Sequence, residues 1–227
     1  MSLKREGGLY EEVAGSVAEA TKQDKEQVKE EIKHGTGQLN EYNEYSQFTN
    51  AISKEVSEVL SKVDPNEVSL LMDEILKAEK IFVIGVGRVF LSLQCLAKRL
   101  AHFGFDINLV GSVVEKRITD NDLLLVASGS GESKLPAGIA EIAKKYNARI
   151  ALITSSKEST IKSIANVAVH LPCPTKTDYG YGVKSIQTMS TLFDQSLHLF
   201  GDILCLMLQK RTGKTNEDLK KFHANLE

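Results

Sequence analysis

Apolar positions change their spacing along this chain. Leu9, Val13, Val17, Ala20, Val28 and Ile32 form one thin stripe at helical intervals among many charges. Gly35 and Gly37 follow and are expected to break it. Residues 1–45 therefore read as a polar helical arm, with a disordered segment as the alternative, and residues 46–227 as one globular domain. From Phe48 the stripe tightens through Ile52, Val56, Val59 and Val63, which predicts a helix. Asp64-Pro65 then has the form of an N-cap with proline at the first helical position, opening a second helix through Val68, Leu71, Met72, Ile75 and Leu76.

Beyond this point the pattern alternates. Short apolar runs stand at Ile81–Gly85, Ile107–Val110, Leu123–Ala127, Ile150–Thr154 and Val167–Leu171. Helical spacing returns between most of them, at Leu91–Phe103, Leu135–Tyr146 and Ile161–Ala165. Strands that are apolar throughout, with helices between them, predict an α/β fold whose parallel sheet is covered on both faces. A long apolar helix over about Ile186–Lys210 and a short one near Asn216–Phe222 complete the expected elements.

Composition narrows the chemistry. The 28 basic and 30 acidic residues of the 227 give a net charge of −2, so no basic excess points to nucleic acid. No apolar run is long enough to predict a membrane span. Met1–Gly8 lacks an apolar segment of the secretory kind, so a cytoplasmic protein is expected. Cys95, Cys173 and Cys205 are scattered, without the paired spacing of a zinc site, and are expected to be free, buried thiols. Asp194, His198 and Asp202 recur every four residues on one helix face. Ion pairing or burial is the expected role of that stripe rather than metal binding, and no metal or cofactor is expected.

The strongest local signal is Ser128-Gly129-Ser130-Gly131-Glu132-Ser133, between a predicted strand and a predicted helix. Parallel sheets bind ligands at the carboxyl ends of their strands. Glycines let backbone N–H groups approach an anion, the helix N-terminus adds partial positive charge, and the hydroxyls add neutral donors. The combination suits a phosphate monoester, with Ser128, Gly129, Ser130 and Ser133 as the contacts. A capped tight turn that binds nothing has the same local form. A second glycine turn, Gly85-Val86-Gly87-Arg88-Val89, follows the first strand, but Phe90 stands where a dinucleotide site would carry its third glycine. There Gly87 allows close approach, and Arg88 reaches either a sugar phosphate or a salt-bridge partner. Lys176 and Lys184 bracket a glycine-rich loop, Asp178–Gly182, read either as a cover over the site or as plain surface.

Taken together, Ile81–Arg88, Ala97–Phe105, the serine loop, Ile153-Thr154-Ser155, Thr175–Asp178, Met189–Phe193 and His223–Glu227 resemble the sugar isomerase (SIS) family. The resemblance runs from about Phe48 to Glu227 and is strongest to its 6-phospho-3-hexuloisomerase branch. It implies a three-layer α/β/α sandwich with a five-stranded parallel sheet. It also implies a dimer or tetramer with shared sites, and isomerisation of 3-hexulose 6-phosphate to fructose 6-phosphate through a cis-enediol without metal. Asp194 stands where the family carries a glutamate suited to act as base, and His223 where it carries a histidine that serves a neighbouring subunit's site. Val89 replaces a serine of the first glycine turn, and Ser112 a glutamate. An arabinose-5-phosphate isomerase and a non-catalytic sugar-phosphate-binding regulator are the alternatives.

Overall fold

The computed structural model describes residues 22–175 and 182–226. The predicted stripe from Leu9 to Ala20, Lys176 and the loop around Asp178 lie outside the described residues, as does Glu227. The chain divides into two compact units, Met1–Ala51 and Ile52–Glu227. In the first, helix α1 (Lys22–Ser61) runs without interruption through Gly35 and Gly37. The expected break does not occur. Each glycine costs about 1 kcal/mol relative to alanine, and good helix formers on both sides carry the turns past them. Tyr42, Tyr45 and Phe48 on this helix are exposed.

The second unit begins with the last turns of α1, where Val56 and Val59 are buried. Helix α2 (Pro65–Lys77) starts as the sequence indicates: the Asp64 side chain accepts from the N–H of Asn66 at 2.8 Å, with proline at the first position. The remaining elements alternate as β1 (Lys80–Ile84), α3 (Gly87–His102), β2 (Asp106–Leu109), β3 (Leu123–Ala127), α4 (Lys134–Lys145), β4 (Arg149–Thr154), α5 (Thr160–Ile164) and β5 (Val167–His170). Helices α6 (Thr191–Thr212) and α7 (Asn216–Lys220) follow.

The five strands form one sheet in the order β2-β1-β3-β4-β5, all parallel. Successive side chains point to opposite faces, so each strand feeds two cores. Ile81, Val83, Leu123, Leu125, Ala151 and Ile153 pack against residues of α2, α3, α6 and the end of α1. Phe82, Ile84, Leu124, Val126, Ile150 and Leu152 pack against α4 and α5. This is the expected three-layer sandwich. A fully buried Val, Leu, Ile or Phe contributes about 1.5–3 kcal/mol. At the amino ends of β1 and β3, buried Asp122 accepts from the Lys80 N–H (3.1 Å) and from the Thr119 N–H (2.7 Å) and hydroxyl (2.8 Å). It also pairs with the Lys80 ammonium (3.0 Å). These bonds join the two central strands below the site.

Two expectations are corrected. Helix α6 starts at Thr191 rather than Ile186, because Ile186 gives its N–H to Glu55 and Met189 takes a left-handed φ of 56°. Of the cysteines only Cys173 is buried; Cys205 is half-buried and Cys95 is exposed on the outer face of α3, one turn after exposed Leu91. Among the described helices α6 is long and apolar enough to cross a membrane, but half of its most apolar window is buried inside the fold, as in a core helix.

Candidate active site

Strand order reverses between β1 and β3, since the chain leaves β1 for one edge of the sheet and β3 for the other. The carboxyl ends of these two adjacent strands are where such a sheet opens a crevice. The two glycine turns of the sequence both lie there. Gly85, at the end of β1, is closely packed: a Cβ on it would stand 3.2 Å from the Phe90 Cα and 3.4 Å from the Ala127 carbonyl oxygen. Gly87 takes a φ of 57° and opens α3.

The serine loop follows β3 and is held from within. The Gly131 N–H donates to Ser128 Oγ at 3.0 Å, and the Ser128 hydroxyl points to Ser133 Oγ at 3.3 Å. Ser128 is 3% exposed, so its hydroxyl shapes the loop more than it meets solvent. Ser130 Oγ accepts from the Glu132 N–H at 3.2 Å. Ser133 is the N-cap of α4 yet makes no side-chain capping bond, which leaves first-turn N–H groups of that helix for an anion. Gly129 lies against the Phe193 ring, the residue before Asp194, with 3.5 Å from a built Cβ to ring carbon.

Sequence reasoning gave Glu132 no part, although it sits inside the motif. Its carboxylate turns away from the loop and accepts from the Thr160 N–H and hydroxyl, both at 2.7 Å. Those two bonds hold it below the ordinary carboxylate range and place its charge at the start of α5. The only signal in the sequence is the Ser159-Thr160 helix start, 28 residues away. The floor of the loop has similar help. Thr154 Oγ1 donates to the Gly129 carbonyl at 3.2 Å, and the Ser155 N–H to the same oxygen at 3.0 Å. His170, given no role from sequence, donates from Nε2 to the Ser155 carbonyl at 2.8 Å.

Arg88 and Asp194, each singled out separately, come together. Arg88 Nε donates to Asp194 Oδ2 at 2.9 Å, with the guanidinium mostly in solvent and the carboxylate 4% exposed. Ser92 Oγ donates to the Asp194 carbonyl at 2.9 Å, which ties α3 to the first turn of α6. The pair stands in the wall of a cavity of about 540 Å³ that also has Gln195 and His198 on its polar side and Ile52, Val56 and Leu60 on its apolar side. Asp194 lies close enough to Cys173 that its charge, after burial, helps push that thiol up to about 12. His198 and Asp202 are exposed, and among the described residues no group of His, Cys, Asp and Glu is arranged to hold a metal ion.

Val89, which replaces the expected serine, is partly buried and packs against the apolar core. Glu55 was missed entirely. It is 8% exposed and accepts from Ser185 Oγ (2.7 Å), the Ile186 N–H (2.9 Å) and Gln187 Nε2 (3.0 Å), fixing the segment that leads into α6 and Asp194. His223 is not with the others in its own chain. Its ring meets that of His102 at a tilt of 31°, fourteen residues along α3 from Arg88, or about 21 Å at the rise of an α-helix.

A protein-family model of the SIS domain matches residues 74–199. A Mycobacterium gastri protein named 3-hexulose-6-phosphate isomerase is 38% identical over 176 residues, covering 78% of this chain and 88% of its own. A Bacillus subtilis protein of the same name is 33% identical over 182 residues, covering 80% and 98%. A Methanococcus jannaschii crystal structure, described as inferring a 3-hexulose-6-phosphate isomerase function, superposes with a TM-score of 0.69 at 27% identity, covering 80% of this chain and 99% of that one.

Proposed function

The chain belongs to the SIS-domain family, an isomerase family by its named relatives, and from that premise we propose that it interconverts 3-hexulose 6-phosphate and fructose 6-phosphate. One observation carries the reading: the Ser128–Ser133 loop follows β3 and Arg88 follows β1, at the reversal of strand order, with Gly129 against the ring of Phe193, next to the Asp194 that Arg88 pairs with. The C6 phosphate takes the N–H groups and hydroxyls of the serine loop. That anchors the far end of the sugar and brings its carbons to Asp194. Asp194 removes the proton from C2 of the 3-ulose, giving a cis-enediol across C2 and C3. The proton returns at C3 while the C2 hydroxyl gives up its own and becomes the carbonyl. Arg88, on Asp194, is placed to follow the negative charge as it moves to the sugar oxygens. His223 of a neighbouring subunit carries protons between those oxygens.

The last role needs an assembly. Leu91 on α3 and Leu199, Ile203 and Leu206 on α6 leave an apolar surface exposed, which supports a homodimer or homotetramer. The three cysteines are free, as a reducing cytoplasm would keep them.

A coupled assay that follows fructose 6-phosphate and its 3-ulose isomer tests the reading, with calorimetry beside it. Asp194→Asn is expected to abolish turnover and leave fructose 6-phosphate affinity within about threefold. Asp194→Glu is expected to retain turnover. Unphosphorylated fructose is expected to bind at least tenfold more weakly, since each lost hydrogen bond to a charged group costs about 1.5–3 kcal/mol. Equal affinity for fructose and fructose 6-phosphate would overturn the phosphate site. Turnover of arabinose 5-phosphate in place of fructose 6-phosphate would favour the pentose enzyme, and binding without turnover would favour the regulator.

A further inference from the structure

Helices α3 and α6 form one platform. They approach closely at Gly201, where a built Cβ would come within 3.2 Å of the Leu96 Cβ, and Ser92 ties the start of α3 to Asp194 on α6. The inner side of the platform packs on the sheet. Its outer side carries Leu91 on α3 and Leu199, Ile203 and Leu206 on α6, all exposed, with Leu91 at 62% and Leu206 at 68%. Cys95 follows Leu91 by one turn and is exposed too, and the three α6 residues recur at helical intervals. Each helix therefore turns an apolar stripe outward. A contiguous apolar patch of this kind marks a protein-binding surface.

The charges beside the stripes select the partner. Arg99 comes one turn after Cys95 on α3, and Asp202 stands next to Ile203 on α6. Both are exposed, and both line a cavity of about 430 Å³ where α3, α6 and α7 meet. Both also lie near Cys205, whose thiol their charges push in opposite directions. Among the described residues neither side chain makes an ion pair or a hydrogen bond. Lys98, the neighbouring cation on α3, is exposed but does not line that cavity. The patch thus offers an unpaired cation on one helix and an unpaired carboxylate on the other. An acidic partner would be repelled by Asp202, and a basic one by Arg99. A second copy turned about a two-fold axis satisfies both, because the contact of one residue with the other is repeated in reverse.

We propose that the outer face of α3 and α6 is a two-fold interface between copies of this chain, in which Arg99 of each copy pairs with the partner subunit's Asp202 beside the apolar stripes. The stripes supply the affinity, and the two ion pairs fix the register in which the copies meet. This inference rests on the reading of the protein as a homo-oligomer and assigns that assembly a surface and a pair of charges.

The test is light scattering on the full-length protein over a micromolar dilution series, with circular dichroism to check the fold. Arg99→Glu sets two carboxylates against each other across the two-fold, and Asp202→Arg sets two cations. Each variant is expected to dissociate about a hundredfold more readily than wild type, taking a tetramer to a dimer or a dimer to a monomer. Both changes in one chain are expected to restore assembly. The mixture decides whether the pair crosses between copies. Equal amounts of the Arg99→Glu and Asp202→Arg proteins are expected to assemble as wild type does, with one chain of each, because each supplies the charge that the other lacks. A pair made within one chain would leave the mixture as dissociated as its components and would overturn the proposal. Should a reversed charge disturb the fold, the neutral variant Arg99→Gln carries the test: wild type is expected to dissociate more readily as sodium chloride is raised, and Arg99→Gln to respond much less. Equal salt dependence in the two would overturn the proposal. Single variants that assemble like an oligomeric wild type would overturn it as well and leave the assembly to another face. A wild type that scatters as a monomer would overturn it together with the oligomer reading and leave this face to a different partner.

Discussion

Gly131 bears more of the Ser128–Ser133 loop than any serine in it. Its φ is 67°, and a Cβ there would fall 2.1 Å from Ser159 Oγ, inside the N-cap of α5. Gly131→Ala therefore meets both the left-handed penalty of about 1–2 kcal/mol and a collision that pushes α5 from the loop. It is expected to melt several degrees lower and to bind fructose 6-phosphate at least tenfold more weakly by calorimetry; wild-type affinity would show that the loop does not hold the phosphate. The need for glycine was legible in the motif, because it follows from backbone geometry within six residues. The inward use of Ser128 and the outward turn of Glu132 were not legible. They depend on loop closure and on Thr160, which no local pattern encodes. Arg88 and Asp194 were each found, but their pairing spans 106 residues and required the packing of α3 on α6.

Strands and most helices could be read from spacing, because burial on both faces leaves runs with no polar member, as in Leu123–Ala127. The start of α6 could not, since Ile186 matches the helical stripe and only Glu55 withdraws it. That carboxylate also gives the element a pH dependence. Burial pushes Glu55 up, but the Ile186 N–H, Gln187 and Ser185 together outweigh it and leave the group below its ordinary value of 4.5. A depressed carboxylate stabilises the fold fully above that ordinary value and loses its contribution as pH falls through the lower, folded value. Glu55→Gln is expected to melt about 5 °C below wild type at neutral pH, and the gap should narrow below pH 4.5. A gap that stays constant on acidification, followed by circular dichroism, would mean that the charge of Glu55 contributes nothing.

At the scale of the whole molecule, the thiols report on the apolar surface. Burial pushes Cys173 up to about 12 and Cys205 up to about 11, so neither forms appreciable thiolate near neutrality, whereas Cys95 is exposed. A dissociated variant such as Leu91→Glu is expected to scatter light as a monomer and to titrate one thiol per chain with a disulfide reagent. Guanidinium should release all three. Wild type scattering as a monomer at micromolar concentration would remove the shared site. The bonds of Glu55 also bear on how the protein is made. They join residues 130 to 132 positions apart, across all five strands. A chain leaving the ribosome exposes Glu55 long before its partners exist, and closing so wide a loop is entropically slow. The sheet is therefore expected to assemble first. Seating of α6, and with it of Asp194, is expected to be a late event in biogenesis, one that waits until all five strands and the segment after them have left the ribosome.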